Sequence, residues 1–328
     1  MAKGKEIKTS NSLTKAMEFN DLIFKELIKR GYSLEGRTRV WDIADSKLWY
    51  LTPEQAQGFL DLESDKNYQI NIIQKEVDLI NANMESIIKK LGKNPLNMID
   101  IGCGDGKKAV IFIKNLKGRL SLRYCPVDIS DYMVEKALEN IRGINVSEIV
   151  ESQYNISDFD NLGNIVNLLS KGKYKNNLFL LLGNTLGNFE INELMYEIRS
   201  SMKPGDYLLI GNGLDNRNVD EIVKSYNNEN MHKFLIRTLT QIGFDPLELE
   251  FGVRFANSRV EMYYTIKKNK VIYFQGKSIR FNKGDQIVVA VSYKYESDEF
   301  RSFMQIYFDD VNFYISDDDA YALVLCRK

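Results

Sequence analysis

Apolar positions recur at helical spacing from Tyr68 to Leu91, where Ile70, Ile73, Val77, Ile80, Met84 and Ile87 share one face. Gly92 and Pro95 end that pattern. Upstream lie one periodic stretch, Ala16 to Ile28, and an aromatic-rich stretch, Trp41 to Leu60. Within the latter, Thr52-Pro53-Glu54-Gln55 predicts a helix start with proline in the first turn. Downstream the period changes. Short apolar runs at Asn97 to Ile101, Ser121 to Val127, Ile144 to Glu151, Leu178 to Leu182 and Tyr207 to Gly211 predict strands. Helical patterns at about Lys107 to Asn115, Asp131 to Ile141 and Glu190 to Met202 separate them. Leu178 to Leu182 is apolar throughout, as in a central strand covered on both faces. This alternation predicts an α/β fold, a doubly wound parallel sheet with right-handed crossovers.

Past Leu214 the rhythm breaks. Val219 to Ile242 reads as helical, and Arg254 to Tyr295 is rich in strand patterns. Val260 to Ile266 and Lys270 to Phe274 flank Lys267-Lys268-Asn269, a predicted hairpin, and Ile287 to Tyr295 alternates strongly. Phe303 to Phe308 suits helix or strand, and Val311 to Ser316 with Tyr321 to Arg327 predicts a closing antiparallel pair. The layout expected is an N-terminal segment (1–67), an α/β domain (68–216), a β-rich insertion (217–295) and closing strands (296–328). The first and third are expected to form a second, α+β lobe.

Composition narrows the partners. The chain has 328 residues, and its 44 Lys+Arg against 45 Asp+Glu leave a net charge of −1, so no overall positive field favours nucleic acid. Cys103, Cys125 and Cys326 make neither a disulfide framework nor a zinc spacing. No apolar run approaches the roughly 18 residues that span a bilayer, and Met1 to Ser10 is polar, so a cytoplasmic protein is expected. His232 is the single histidine, which nearly excludes His-based triads and multi-His metal sites. No metal is expected.

The sharpest motif is Asp100-Ile101-Gly102-Cys103-Gly104-Asp105-Gly106-Lys107, at the first strand-to-helix turn. Glycines there permit a tight turn and close approach of a ligand. A dinucleotide fingerprint wants glycine where Lys107 stands, and a Walker loop needs a different spacing. Asp128 ends the second strand, where its oxygens can accept two ribose hydroxyls, and Asp158-Phe159 follows the third. The bland alternative is a turn cluster and a capping Asp in some other α/β protein. Taken together, the motifs resemble class I S-adenosylmethionine (SAM) methyltransferases of Rossmann-like fold. That resemblance implies SAM as cofactor, held by Gly102, Cys103, Gly104, Gly106, Lys107, Asp128, Asp158 and Phe159.

A narrower resemblance follows. Leu182-Gly183-Asn184-Thr185-Leu186-Gly187-Asn188-Phe189 is similar to the Gly-Ser/Thr-x-Gly-Asn-Phe motif of the histidine-specific Nα-methyltransferase family. The likeness continues, colinearly, in Trp49-Tyr50-Leu51-Thr52, Ser225-Tyr226-Asn227, Ser258 to Met262, and Gly284 to Tyr295. It implies that Asn188 and Tyr226 hold the amino and carboxylate groups of an amino acid. Tyr50 and Met262 would wall the pocket, and Ser292 would face the substrate side chain. One position departs: the family's Thr-Glu-x-Ser is Val289-Ala290-Val291-Ser292 here, so the carboxylate that grips imidazole is missing. A small molecule other than histidine, methylated at an amino nitrogen, is the expectation.

Other readings stay open at this point. Asn188 suits a helix N-cap, Met262 a core position, Tyr226 a helix face and His232 a packing role. Lys267, Lys268 and Lys270 suit a solvated hairpin tip. A different small-molecule or protein methyltransferase, or a SAM-binding protein without turnover, fits the same motifs. A nucleic-acid N-methyltransferase fits less well, since Asp/Asn-Pro-Pro-aromatic is absent after the fourth strand. No residue stands out as a base; a tyrosine, water or solvent could take the amine proton.

Overall fold

A computed structural model describes residues 21–66, 69–144, 146–150, 161–215 and 219–328. Asp158 and Phe159 therefore lie outside the described residues. The helices are α1 (21–30), α2 (Pro53–Glu63), α3 (Gln74–Leu91), α4 (Lys107–Leu116) and α5 (Asp131–Arg142). They continue with α6 (Leu162–Leu169), α7 (Ile191–Ser201), α8 (Val219–Tyr226), α9 (Glu229–Thr240) and α10 (Ser297–Tyr307). The strands begin with β1 (Ser33–Glu35), β2 (Thr38–Asp42), β3 (Leu96–Ile101), β4 (Leu122–Val127) and β5 (Glu148–Ile149). Next are β6 (Asn176–Leu181), β7 (Tyr207–Gly213), β8 (Leu249–Ala256), β9 (Arg259–Ile266) and β10 (Lys270–Phe274). The last are β11 (Lys277–Phe281), β12 (Gln286–Tyr293), β13 (Asp310–Ile315) and β14 (Tyr321–Arg327). No helix among the described residues is long and apolar enough to cross a membrane.

Two compact units emerge, one of the residues up to Leu51 with Val219–Val291, the other of Thr52–Asn218 with Ser292–Lys328. The second holds a seven-stranded sheet in the order β13-β14-β7-β6-β3-β4-β5. Its β4, β3, β6 and β7 run parallel, and β14 enters antiparallel to β7. Alternate residues of β6 explain why that strand is wholly apolar: Phe179 and Leu181 join the core cluster on one face, Leu178 and Leu180 that on the other. Residues of α6, α7 and α10 fill the first cluster, and residues of α3 and α4 the second. The chain passes from β3 outward to β4, whereas β6 flanks β3 on its other side. That reversal opens a crevice at the carboxyl ends of β3 and β6, where such sheets bind ligands.

Local chemistry accounts for the helix entries. Thr52 caps α2 in a reciprocal box with Gln55, and Pro53 takes a first-turn position where no amide donor is needed. The third strand is shorter than its apolar pattern, Glu148–Ile149 against the predicted Ile144 to Glu151.

The first unit carries a five-stranded sheet, β1-β2-β12-β9-β8, and a separate ribbon, β10-β11. Here the predicted hairpin about Lys267-Lys268-Asn269 is corrected. The strand β9 pairs with β8 through Asn257-Ser258, and β10 with β11 through Gln275-Gly276. All four turn residues have positive φ, which suits these two-residue turns. The lysines are drawn elsewhere: Lys268 and Lys270 pair with the buried Glu248 at 2.8 and 2.6 Å. The segment Val219 to Ile242 is two helices, because Asn228 leaves α8 and caps α9 through Met231 N–H. Phe303 to Phe308 lies mostly within a helix, α10.

Candidate functional site

The glycine loop sits at the crevice of the sheet unit. Gly102, Gly104 and Gly106 have φ of 65°, 53° and 74°, a region that costs an L-residue strain. Each glycine serves differently. A Cβ on Gly106 would lie 3.0 Å from Ala137 Cα and Cβ, so α4 starts hard against α5. One on Gly102 would lie 3.2 Å from Thr185 Cγ2, which brings the loops after β3 and β6 together. One on Gly104 would meet open space within 4 Å, so the loop backbone is bare there. Cys103 is buried, and burial holds its thiol well above the ordinary value, which removes it as a nucleophile at neutral pH.

Asp128 stands across from Gly104. Its Oδ2 accepts Gly104 N–H at 3.2 Å and its Oδ1 accepts Ser130 N–H at 3.0 Å. The Ile129 N–H also bonds this carboxylate, so three amides leave about one of its four acceptor positions for a ligand. Burial raises its pKa to about 6 against the pull of those amides. Beneath it, Tyr124 donates to Asp100 Oδ2 at 2.8 Å, and burial pushes Asp100 up to about 7.

The two lysines that open α4 part company. Lys107 points to solvent, 77% exposed, and pairs with Asp105 at 2.5 Å. Lys108 turns inward, 20% exposed, with Nζ 3.5 Å from both Glu63 and Glu76. Any side chain on Gly183 would collide with that ammonium, so Lys108 reaches the loop after β6. Burial works against its charge, but the carboxylates outweigh burial and raise its pKa. Of the pair, Lys107, the residue that the resemblance implies for the cofactor, faces solvent, and Lys108 faces the loop after β6.

Glu76 is fully buried. It accepts Gly183 N–H at 2.8 and 3.1 Å and the Tyr321 hydroxyl at 2.9 Å. Gly211 is obligatory beside it, since a Cβ there would overlap the carboxylate.

The loop after β6 turns on Asn184, which holds φ of 63°. Gly213 N–H donates to its Oδ1 at 2.8 Å, which fixes the amide and aims Nδ2 at Ser292 Oγ, 3.4 Å away. The buried Lys294 also donates to Ser292 Oγ, at 2.9 Å. Ser292 thus sits in a polar cluster with Asn184 and Lys294, neither of which the sequence reading singled out. Asn188 ends the short helix Thr185–Asn188 and is half-buried. It is not an N-cap; Glu190 caps α7.

The remaining candidates belong to the first unit. Tyr50 follows the short helix Ser46–Trp49 and packs on Phe234, ring centroids 5.9 Å apart. Tyr226 ends α8 and is buried, and Met262 is buried on β9 opposite Val253. Ala290 is 1% exposed on β12, one residue past Val289, whose carbonyl accepts the Trp49 indole at 2.7 Å. His232 is half-buried, with Nδ1 3.1 Å from the Tyr264 hydroxyl. The Tyr264 hydroxyl also lies 3.1 Å from His232 C=O, which accepts from it.

Comparison with known proteins places this arrangement. A protein from Pyrococcus horikoshii OT3 aligns at 15% identity and TM-score 0.44, over 84% of this chain and 99% of that one. The plantazolicin methyltransferase BamL, solved with a triazolic desmethylPZN analog and SAH, aligns at 12% identity and TM-score 0.39, over 96% and 98% of the chains. A SAM-dependent methyltransferase from Mesorhizobium loti aligns at 12% identity and TM-score 0.36, over 76% and 98%. No curated protein matches the sequence. The model of one protein family, described as histidine-specific, SAM-dependent methyltransferase, matches residues 63–328. The span runs from the end of α2, through the glycine loop and Asp128, to the last strand, and the chain belongs to that family of SAM-dependent methyltransferases.

Proposed function

We propose that this methyltransferase acts on the amino nitrogen of a small amino acid or derivative that is not histidine. The observation that carries the specificity is Ala290, 1% exposed, where the family pattern has a glutamate. Removing that carboxylate forfeits a charge-assisted hydrogen bond to imidazole, worth about 1.5–3 kcal/mol. An apolar methyl group in its place leaves a buried imidazolium N–H without an acceptor.

The sheet unit fits SAM on three counts. Backbone is bare at Gly104, the Asp128 carboxylate keeps an acceptor position for a ribose hydroxyl, and Lys108 offers a cation to a carboxylate tail. When bound, SAM supplies an electrophilic methyl group on a sulfonium. The chain's own part is positioning: Asp128 orients the ribose, Lys108 the carboxylate, and the Gly102–Thr185 contact sets the spacing of the two loops. Within this unit, Asn188 and Ser292 are the groups assigned to substrate. Incubation with labelled SAM and a panel of amino acids, read by mass spectrometry, tests the proposal. Efficient methylation of histidine would defeat its specificity part, and Ala290→Glu should then be neutral rather than beneficial.

A further inference from the structure

We infer that Glu63 is a removable internal counter-ion, an anion that holds Lys108 in the ligand-free enzyme and yields it to the carboxylate of the incoming cofactor. This rests on the assignment of Lys108 to the cofactor's carboxylate made above. Lys108 has two carboxylates at equal distance, Glu63 Oε1 and Glu76 Oε2, both 3.5 Å from Nζ. They are not equivalent. Glu76 is fully buried and anchored by Gly183 N–H and Tyr321 O–H, so it stays whatever binds. Glu63 is the last residue of α2, its side chain is 18% exposed, and Lys108 is its one ion-pair partner among the described residues. Its carboxylate is hydrogen-bonded by Lys108 and not, as Glu76 is, by a backbone amide and a tyrosine, so its rotamer is the freer of the two.

The charge count requires something to leave. Two carboxylates already face one ammonium, while the nearby Asp105 is offset by its own partner, Lys107. A further carboxylate at Lys108 would meet a net negative field unless one acid withdraws or takes up a proton. Glu63 is the acid prepared for this: burial holds it above the ordinary carboxylate value, with Asp105 raising it further and Lys108 and Lys107 pulling it down. Once Lys108 turns to the ligand, the main pull on Glu63 weakens, its pKa rises, and a proton is taken up from solvent. Glu63 therefore sets the affinity for ligands whose tail carries a carboxylate to Lys108, while leaving the adenosine end untouched.

The test compares two ligands by calorimetry. S-adenosylhomocysteine carries the amino-acid tail, and 5′-methylthioadenosine has the same adenosine and thioether without it. Glu63→Gln should tighten S-adenosylhomocysteine by about tenfold, the effect of one unit of differential charge interaction. Binding of 5′-methylthioadenosine should not change. Repeating wild-type titrations in buffers of different ionisation enthalpy should reveal proton uptake with S-adenosylhomocysteine beyond that with 5′-methylthioadenosine, absent in Glu63→Gln. Unchanged or weaker S-adenosylhomocysteine binding in Glu63→Gln would overturn the inference. Lys108→Met separates the two levels. A loss confined to S-adenosylhomocysteine supports the assignment of Lys108, so a silent Glu63→Gln then refutes the counter-ion alone. Equal effects of Lys108→Met on both ligands would refute the assignment and the counter-ion together.

Discussion

Removing the Asp128 carboxylate tests the cofactor site at the atom where its geometry is most explicit. Its oxygens accept Gly104 and Ser130 N–H at 3.2 and 3.0 Å, Ile129 N–H bonds it as well, and an acceptor position is left for a ribose hydroxyl. Losing hydrogen bonds to a charged group costs about 1.5–3 kcal/mol, so Asp128→Ala should weaken nucleoside binding by about tenfold to a hundredfold. The pH dependence adds a sharper signature. Burial places the Asp128 pKa at about 6, so the carboxyl is mostly ionised at pH 7 and mostly protonated at about pH 5. Hydroxyl donors favour the ionised form, so binding releases a proton. The dissociation constant should rise as pH falls through about 6, approaching tenfold per unit until the bound-state pKa is passed. Calorimetry with 5′-methylthioadenosine isolates this effect, because that ligand has the diol and lacks the tail that engages Lys108. Asp128→Asn should flatten the dependence. A folded Asp128→Ala protein with unchanged affinity, or a wild-type profile that is flat between about pH 5 and 7, would refute the assignment of Asp128 to the ribose.

Three further outcomes are expected. Gly106→Ala should destabilise the fold by about 1–3 kcal/mol, since it combines positive φ with a 3.0 Å approach to Ala137, and a lowered denaturation midpoint would register it. Asp206→Ala should cost about 3 kcal/mol, because Asn177 loses partners for its backbone N–H and side-chain amide and Lys203 N–H loses a third; chemical denaturation measures it. Glu248 is held at about 2 by Lys268 and Lys270, so its folded pKa lies below the ordinary 4.5. Its contribution is present above 4.5 and is lost as pH falls toward 2, and Glu248→Gln should lessen the acid-induced drop in melting temperature.

The parallel sheet, the glycine loop and the acid after the second strand were legible because each is encoded locally. Apolar runs set strands, and glycines at 102, 104 and 106 set the turn that the positive φ values require. The order of strands in the first unit was not legible in the same way. Lys267-Lys268-Asn269 has the length and polarity of a hairpin turn, but the partner of a strand is chosen by register and burial elsewhere in the chain. Glu248, far upstream, draws these lysines aside. The short pair β1 and β2 escaped notice for lack of periodicity over so few residues. Lys107 and Lys108 illustrate a different limit. Adjacent residues on a helix point about 100° apart, and only the placement of α2 and α3 decides which one faces inward. A signal was present for Glu76. It falls three residues after Ile73 and four before Ile80, on the apolar stripe of its helix, and a lone acid there implies a buried partner.

The placement of these groups separates the two halves of the chemistry. Gly104, Asp128, Lys108, Glu63 and Glu76 all belong to the unit of Thr52–Asn218 with Ser292–Lys328, and the hydrogen bonds and ion pairs described for them stay within it. Ala290 belongs to the other unit. Its exchange for glutamate alters a single side chain within β12, whereas Asn184, Glu76 and Asp128 each fix backbone amides of the loops at the crevice. Under the proposed function, an exchange at position 290 is expected to shift substrate preference and to leave those amides in place. Asn184 marks the opposite case. Its positive φ, its bond from Gly213 N–H and its reach to Ser292 tie the ends of β6 and β7 to the start of the closing segment. A change there disturbs the whole loop, which also carries Gly183 beside Lys108 and Asn188, the residue proposed for the substrate. The two asparagines of Gly183-Asn184-Thr185-Leu186-Gly187-Asn188 thus differ: the first is the strut of the loop, and the second is the one proposed to meet the substrate.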